Sequence, residues 1–170
     1  GKLACHFIAD DPPPAAVDRL AKLFLDTDGD LGRMARALAD MPEVWATPFA
    51  KVRTPQDYVV AALRAVGNRS DDAQPVQWLN QLGQPPFGAP SPAGWPDHAA
   101  DWINPEAAVH RVEWSTMLAR RSNLAERPTA IADRTFGEAL SVSTRRLVAQ
   151  AESAEEGLAL LLASPEFQRR

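Results

Sequence analysis

Along almost its whole length the chain repeats one pattern: a capping residue or a proline, followed by apolar residues three and four positions apart. A helix satisfies its own backbone groups except at its ends. A side-chain acceptor just before the first turn, with a proline inside it, is therefore a local instruction to begin one. After Asp11 and three prolines, Val17, Leu20, Ala21 and Phe24 form such a stripe, and Asp28-Gly29-Asp30 ends it and caps the next, which carries Leu31, Met34, Ala35 and Leu38. Thr54-Pro55 opens a face of Val59, Ala62, Leu63 and Val66 that Gly67-Asn68 closes. The spacing predicts a shorter helix from about Asp71 to Leu82, with Trp78, Leu79 and Leu82 inward. Asn104-Pro105-Glu106 begins a long helix to about Asn123, and another runs from Pro128 to Leu140. Ser143 and Ser153 cap two more, the second with Glu156 placed for a capping box.

No run of four or more residues alternates apolar and polar side chains in a β-branched or aromatic setting, so no strand is predicted. The fold class is all-α, a single multi-helix domain of about eight or nine helices over residues 1–170. A chain of 170 residues buries roughly 70% of its unfolded surface and needs no metal or disulfide to hold a core. Its one cysteine, Cys5, excludes an intrachain disulfide and a four-thiolate zinc site. The longest apolar run, Leu158 to Ala163, is too short to span a bilayer, so no membrane span is expected. A net charge of −4 opposes binding to nucleic acid, which needs a basic surface to displace counterions. No basic and apolar leader opens the chain; it begins in what reads as the tail of a helix, as a segment of a longer protein does.

Two short stretches echo each other: ALADMPEVW at 37–45 and LLASPEFQ at 161–168 both end a helix at Pro-Glu followed by an apolar residue. The simplest account is a shared device, proline starting a short helix and the apolar residue fixing it to the core, rather than a repeat.

The interruption in this helical pattern is the segment FGAPSPAGWPDHAADWIN, residues 87–104, with two of the five tryptophans among prolines and glycines. A long ordered loop inside a compact domain must bury side chains, and a tryptophan hides about 150–250 Å². The loop is expected to act mainly as a plug, shielding its indoles from iodide. A platform of Phe87, Trp95 and Trp102 for a sugar or peptide is the exposed alternative. His98, between Asp97 and Asp101 and beside Trp95 and Trp102, is the best candidate among three histidines for a carboxylate-oriented imidazole. The candidate binding residues are thus Trp95, Asp97, His98, Asp101 and Trp102. Glu106, His110 and Glu113 share one helix face with Arg120 and Arg121, opposite Ala108, Val112 and Ala119, and read as a solvated charged surface rather than a metal site. There is no Gly-x-Ser-x-Gly elbow and no glycine-rich phosphate loop, so no catalytic residue, metal or cofactor is assigned.

Four segments carry a resemblance: HFIADDPPPAAVDRLA (6–21), AKVRTPQDYVVAALRAVG (50–67), LGQPPFGAPSPAGWP (82–96) and the terminal LLLASPEFQRR. Together they resemble the C-terminal part of the bacterial domain of unknown function family 1800, in the same order and over nearly the whole chain. The resemblance implies a fragment of a longer, exported protein, periplasmic or secreted. It also implies a partner encoded nearby and related to sulfatases and phosphatases, but no established reaction. Many members have Asn where this chain has Ser91, which argues against an essential side-chain amide there. The expected function is a non-enzymatic interaction or scaffold module. An enzyme or enzyme subunit using the His98 region, such as a metal-assisted hydrolase partner, and a carbohydrate- or peptide-binding module are the alternatives.

Overall fold

The computed structural model describes residues 1–67 and 74–170. Among them are twelve α-helices, eight of seven residues or more, with no strand, so the chain is an all-α single compact domain. Asn68, expected to close a helix, and the expected start at Asp71 lie outside the described residues.

Helices α1 (Lys2–Phe7), α2 (Pro14–Asp26) and α3 (Leu31–Asp40) enclose one small core of Ala4, Ile8, Ala16, Leu20, Met34, Leu38 and Met41. Asp30 caps α3 by accepting from Arg33 N at 2.9 Å. The stripes are narrower than their periodicity suggests. Ala21 and Ala35 are exposed, Phe24 is 47% exposed and Leu31 74%. Three short helices bury only the seam where they meet, so the outer half of each stripe stays in water. Phe24 covers the turn after α2, where a Cβ on Gly29 would lie 3.3 Å from its ring.

The short α4 (Pro42–Trp45) leads to the second and larger core. It is built from α5 (Pro55–Val66), α6 (Gln74–Gln81) and, beyond the proline loop and the short α7 (Ala99–Trp102), α8 (Pro105–Arg121). α9 (Pro128–Phe136), α10 (Val142–Ala149), α11 (Ala154–Ala163) and α12 (Pro165–Gln168) complete it. Thr54 and Asn104 cap α5 and α8 as the sequence predicts. α10 is capped by Ser141, which accepts from Thr144 N at 3.2 Å, two residues before the expected Ser143. Ser153 caps α11, but Glu156 reaches back to Glu152 N at 2.7 Å rather than to Ser153 N, so the box is displaced by one residue. α11 approaches α9 and α10 so closely that a Cβ on Gly157 would meet Pro128 at 3.2 Å and the Val148 carbonyl at 3.3 Å.

The face of α8 is rotated from the expected one. Arg111, Trp114, Ser115, Leu118 and Ala119 are buried, whereas Val112 is 52% exposed. The cause is Arg111, a cation that reads as solvent-facing but donates to Gln168 Oε1 and to the Arg53 carbonyl, each at 2.8 Å, with its guanidinium 5.2 Å from the Tyr58 ring centre. Tyr58 is fully buried, its hydroxyl 2.5 Å from Ser115 Oγ and donating to the Leu162 carbonyl at 3.1 Å. Both Pro-Glu echoes start short helices, at Pro42 and Pro165, and Val44 and Phe167 pack inward behind them.

Candidate functional site

Between the two cores the backbone of residues 51–53 runs antiparallel to 168–170. Lys51 N donates to the Arg170 carbonyl at 3.1 Å, Arg170 N to the Lys51 carbonyl at 2.8 Å, and Arg53 N to the Gln168 carbonyl at 2.9 Å. This short pairing carries the Lys51 side chain inward, where it is 3% exposed. A buried ammonium persists only with compensating partners. Lys51 Nζ donates to the Asp10 carboxylate and the Asp97 carbonyl, with Asp97 Oδ1 at 3.6 Å. Asp10 Oδ2 also accepts from Ala99 N at 2.7 Å, so one lysine joins the loop after α1 to the end of the proline loop.

Burial pushes the Asp10 carboxyl up, but the hydrogen bonds from Lys51 and Ala99 and the charges of Lys51 and His98 outweigh it, and its pKa lies below the ordinary value. A carboxyl depressed in the folded state adds stability that is complete above its unfolded pKa of about 3.9 and is lost as pH falls through the lower folded value. The shift at Glu166 has the same direction: burial raises it, but hydrogen bonds from the Ser141 hydroxyl, its own backbone amide, the Thr144 hydroxyl and the Ser141 amide outweigh burial. Acid therefore weakens the fold at both places, and a comparison with Asp10→Asn isolates the junction. The deficit of that variant in urea unfolding is expected to be largest at neutral pH and to shrink below about pH 4; a deficit independent of pH would contradict the assignment.

The imidazole that Asp97 holds belongs to His6, whose Nδ1 lies 3.1 Å from Asp97 Oδ2. On the other side of that ring, Nε2 lies 3.5 Å from Arg170 Nη2, and Arg170 Nη1 is 3.0 Å from Asp57 Oδ2. The structure packs Trp95 against Trp102 but does not gather the five residues singled out in the sequence around His98. Asp97 is half-buried in this junction; His98 is an exposed N-cap residue of α7 whose side chain makes no cap bond; Asp101 is exposed. Trp102 is 6% exposed and donates to the Pro96 carbonyl at 3.0 Å, while Trp95 is half-buried against it with ring centres 5.9 Å apart. The plug is thus chiefly Trp102. Phe87 stands fully in solvent at a positive φ of 61°, so the three rings form no common platform.

A cleft of about 390 Å³ opens beside His6 and Arg170, walled by Phe7, Ile8, Val44, Trp45, Pro48 and Phe49. Across Phe7, Val44 and Trp45 it adjoins a groove of about 510 Å³ whose lining is apolar throughout, from Leu3 and Phe7 of α1 to Leu31, Met34 and Leu38 of α3. His110 lies 3.8 Å from Glu106 and 3.5 Å from Glu113 on an exposed face, as a solvated helix surface does. Among the described residues no group of three or more His, Cys, Asp or Glu is placed to hold a metal ion, and no helix is long and apolar enough to cross a membrane.

The sequence model of the family described as "Protein of unknown function (DUF1800)" matches residues 1–169. The chain belongs to this family. No curated protein and no solved structure matches it. In this DUF1800 chain three of the four segments that carry the resemblance meet around the junction: His6 and Asp10 come from the first, Lys51, Arg53 and Asp57 from the second, and Gln168 and Arg170 from the last, with Asp97 directly after the third. Sequence reasoning passes over Lys51, Asp10 and Arg170 because each is an ordinary charged residue until its distant partner is known. Their place within the quoted segments is the one sequence signal that could have pointed to them.

Proposed function

We propose that this DUF1800 chain is a non-enzymatic interaction module of a larger exported bacterial protein, and that it takes an amphipathic helix of a partner protein into the groove between α1 and α3. The observation that carries this reading is the groove itself. Its lining includes Leu31, 74% exposed, and Trp45, 72% exposed, and a contiguous exposed apolar surface of this kind marks an interaction site. Two helices flanking an apolar trough suit a third helix laid between them, anchored by side chains one turn apart. The partner class in this reading is the one the family resemblance implies, a sulfatase- or phosphatase-like protein encoded nearby, with both in the periplasm or outside the cell.

Binding of the purified partner to the full-length protein is expected to weaken at least tenfold in Leu31→Glu, because a charge buried at the centre of an apolar interface stays unpaired. Titration calorimetry checks this. No binding by the unmodified protein, or equal binding by Leu31→Glu, would sink the reading.

A further inference from the structure

The cleft beside the groove differs from it in chemistry. Its walls are apolar, but one end is closed by His6, the Lys51 backbone and Arg170. Arg170 commits one terminal nitrogen to Asp57 at 3.0 Å, and the other lies 3.5 Å from the imidazole Nε2 of His6. That contact is at the long limit of a hydrogen bond, whereas a guanidinium and an anionic oxygen settle at about 2.7–2.9 Å. An incoming carboxylate or sulfonate is therefore a better acceptor for Arg170 than the ring now opposite it.

Around that end Lys51 is paired with Asp10, Arg170 with Asp57 through one of its terminal nitrogens, and the His6 ring with Asp97, while Arg53 donates to the Phe167 carbonyl and sits over the Phe167 ring. Two wall residues are held as a preformed surface. The Trp45 indole N–H donates to the Ala39 carbonyl at 2.9 Å, so an exposed ring is nevertheless fixed. Phe49 keeps a φ of +60°, a left-handed conformation that is unfavourable for a residue with a Cβ and is retained where the surroundings impose it. Apolar walls with a few convergent polar groups at a junction between packed units are the usual form of a small-molecule pocket.

We infer that this cleft binds a small anionic amphiphile, its aromatic or acyl body against Trp45 and Phe49 and its carboxylate or sulfonate on Arg170. The site shares the Phe7, Val44 and Trp45 wall with the helix groove and is told from it by Phe49 and Arg170, which line only the cleft, and by Leu31, which lines only the groove.

The test uses the Leu31→Glu protein, in which the groove is blocked, and two fluorescent probes of similar shape: anilinonaphthalene sulfonate, which is anionic, and N-phenylnaphthylamine, which is neutral. The sulfonate is expected to bind saturably at one site. Adding Arg170→Gln is expected to weaken it about tenfold, the loss of one charge-assisted hydrogen bond, and to leave the neutral probe unchanged. Adding Trp45→Ala is expected to weaken both. The ratio of the two affinities is read because general loosening moves both probes together. An unchanged ratio in Arg170→Gln, or no saturable sulfonate binding, overturns the inference. Partner binding does not enter this measurement, so failure of the groove reading and failure of this one are told apart.

Discussion

Replacing Phe167 by alanine is expected to remove about 3–5 kcal/mol of stability, the range for truncating a buried aromatic whose cavity cannot collapse. Phe167 is 1% exposed, and its ring lies edge-on to Phe136 at 5.7 Å and to Tyr58 at 6.1 Å, with the Arg53 guanidinium 5.8 Å from its centre. Two of these neighbours are held where they are: Tyr58 is tied through its hydroxyl to Ser115 and Leu162, and Arg53 donates to the carbonyl of Phe167 itself. In a chain of this size the loss lowers the melting temperature by roughly 6–20 °C, at about 2–4 °C per kcal/mol. Phe167→Leu, which keeps most of the volume, is expected to cost less than about 1.5 kcal/mol. Urea unfolding followed by tryptophan fluorescence checks both. If Phe167→Ala loses no more than Phe167→Leu, the ring is not the centre of the larger core. The residues after it, Gln168 to Arg170, pair with 51–53, so the same substitution is also expected to loosen the cleft.

What was legible in the sequence was whatever depends on near neighbours. The caps at Asp30, Thr54, Asn104 and Ser153 each act on an amide three residues ahead, within reach of local pattern. The all-α class and the eight longer helices follow from those caps and the apolar spacing. Burial of charge was not legible. Lys51 meets Asp97 across 46 positions and Arg111 meets Gln168 across 57, and nothing local distinguishes either from a surface cation. That is why the stripe of α8 was misjudged: Arg111 points inward and Val112 out. The same limit explains His98. Its flanking aspartates made it the natural imidazole of a cluster, but a backbone entering a helix turns successive side chains apart, and Asp97 reaches His6 instead, 91 positions away. The groove was hidden in a further way. Periodicity marks Leu31, Met34 and Leu38 of α3 but not how much of that stripe its short neighbours can cover.

Replacing Lys51 by methionine is the second large effect, and its pH dependence identifies it. Methionine fills most of the lysine's space, so the chief loss is the cation between Asp10 and Asp97. Removing one partner of a fully buried pair costs about 3–5 kcal/mol because the other charge is stranded. Here the carboxylates are 28% and 29% exposed, and solvent screens part of that penalty, leaving about 2–3 kcal/mol at neutral pH. In the native chain the hydrogen bond and charge of Lys51, with the Ala99 amide and the His98 charge, outweigh burial and hold the Asp10 pKa below its ordinary value. Without Lys51 that depression shrinks, so the parent loses stability as pH falls through the folded value of Asp10 and the variant loses less. The deficit of Lys51→Met is therefore expected to be largest at neutral pH and to narrow below about pH 4, and Lys51→Met with Asp10→Asn to regain part of the loss at neutral pH. Unfolding midpoints at three pH values decide the matter. A deficit constant with pH would mean that Lys51 acts through the packing of its aliphatic stem and not as the charge that joins the two cores.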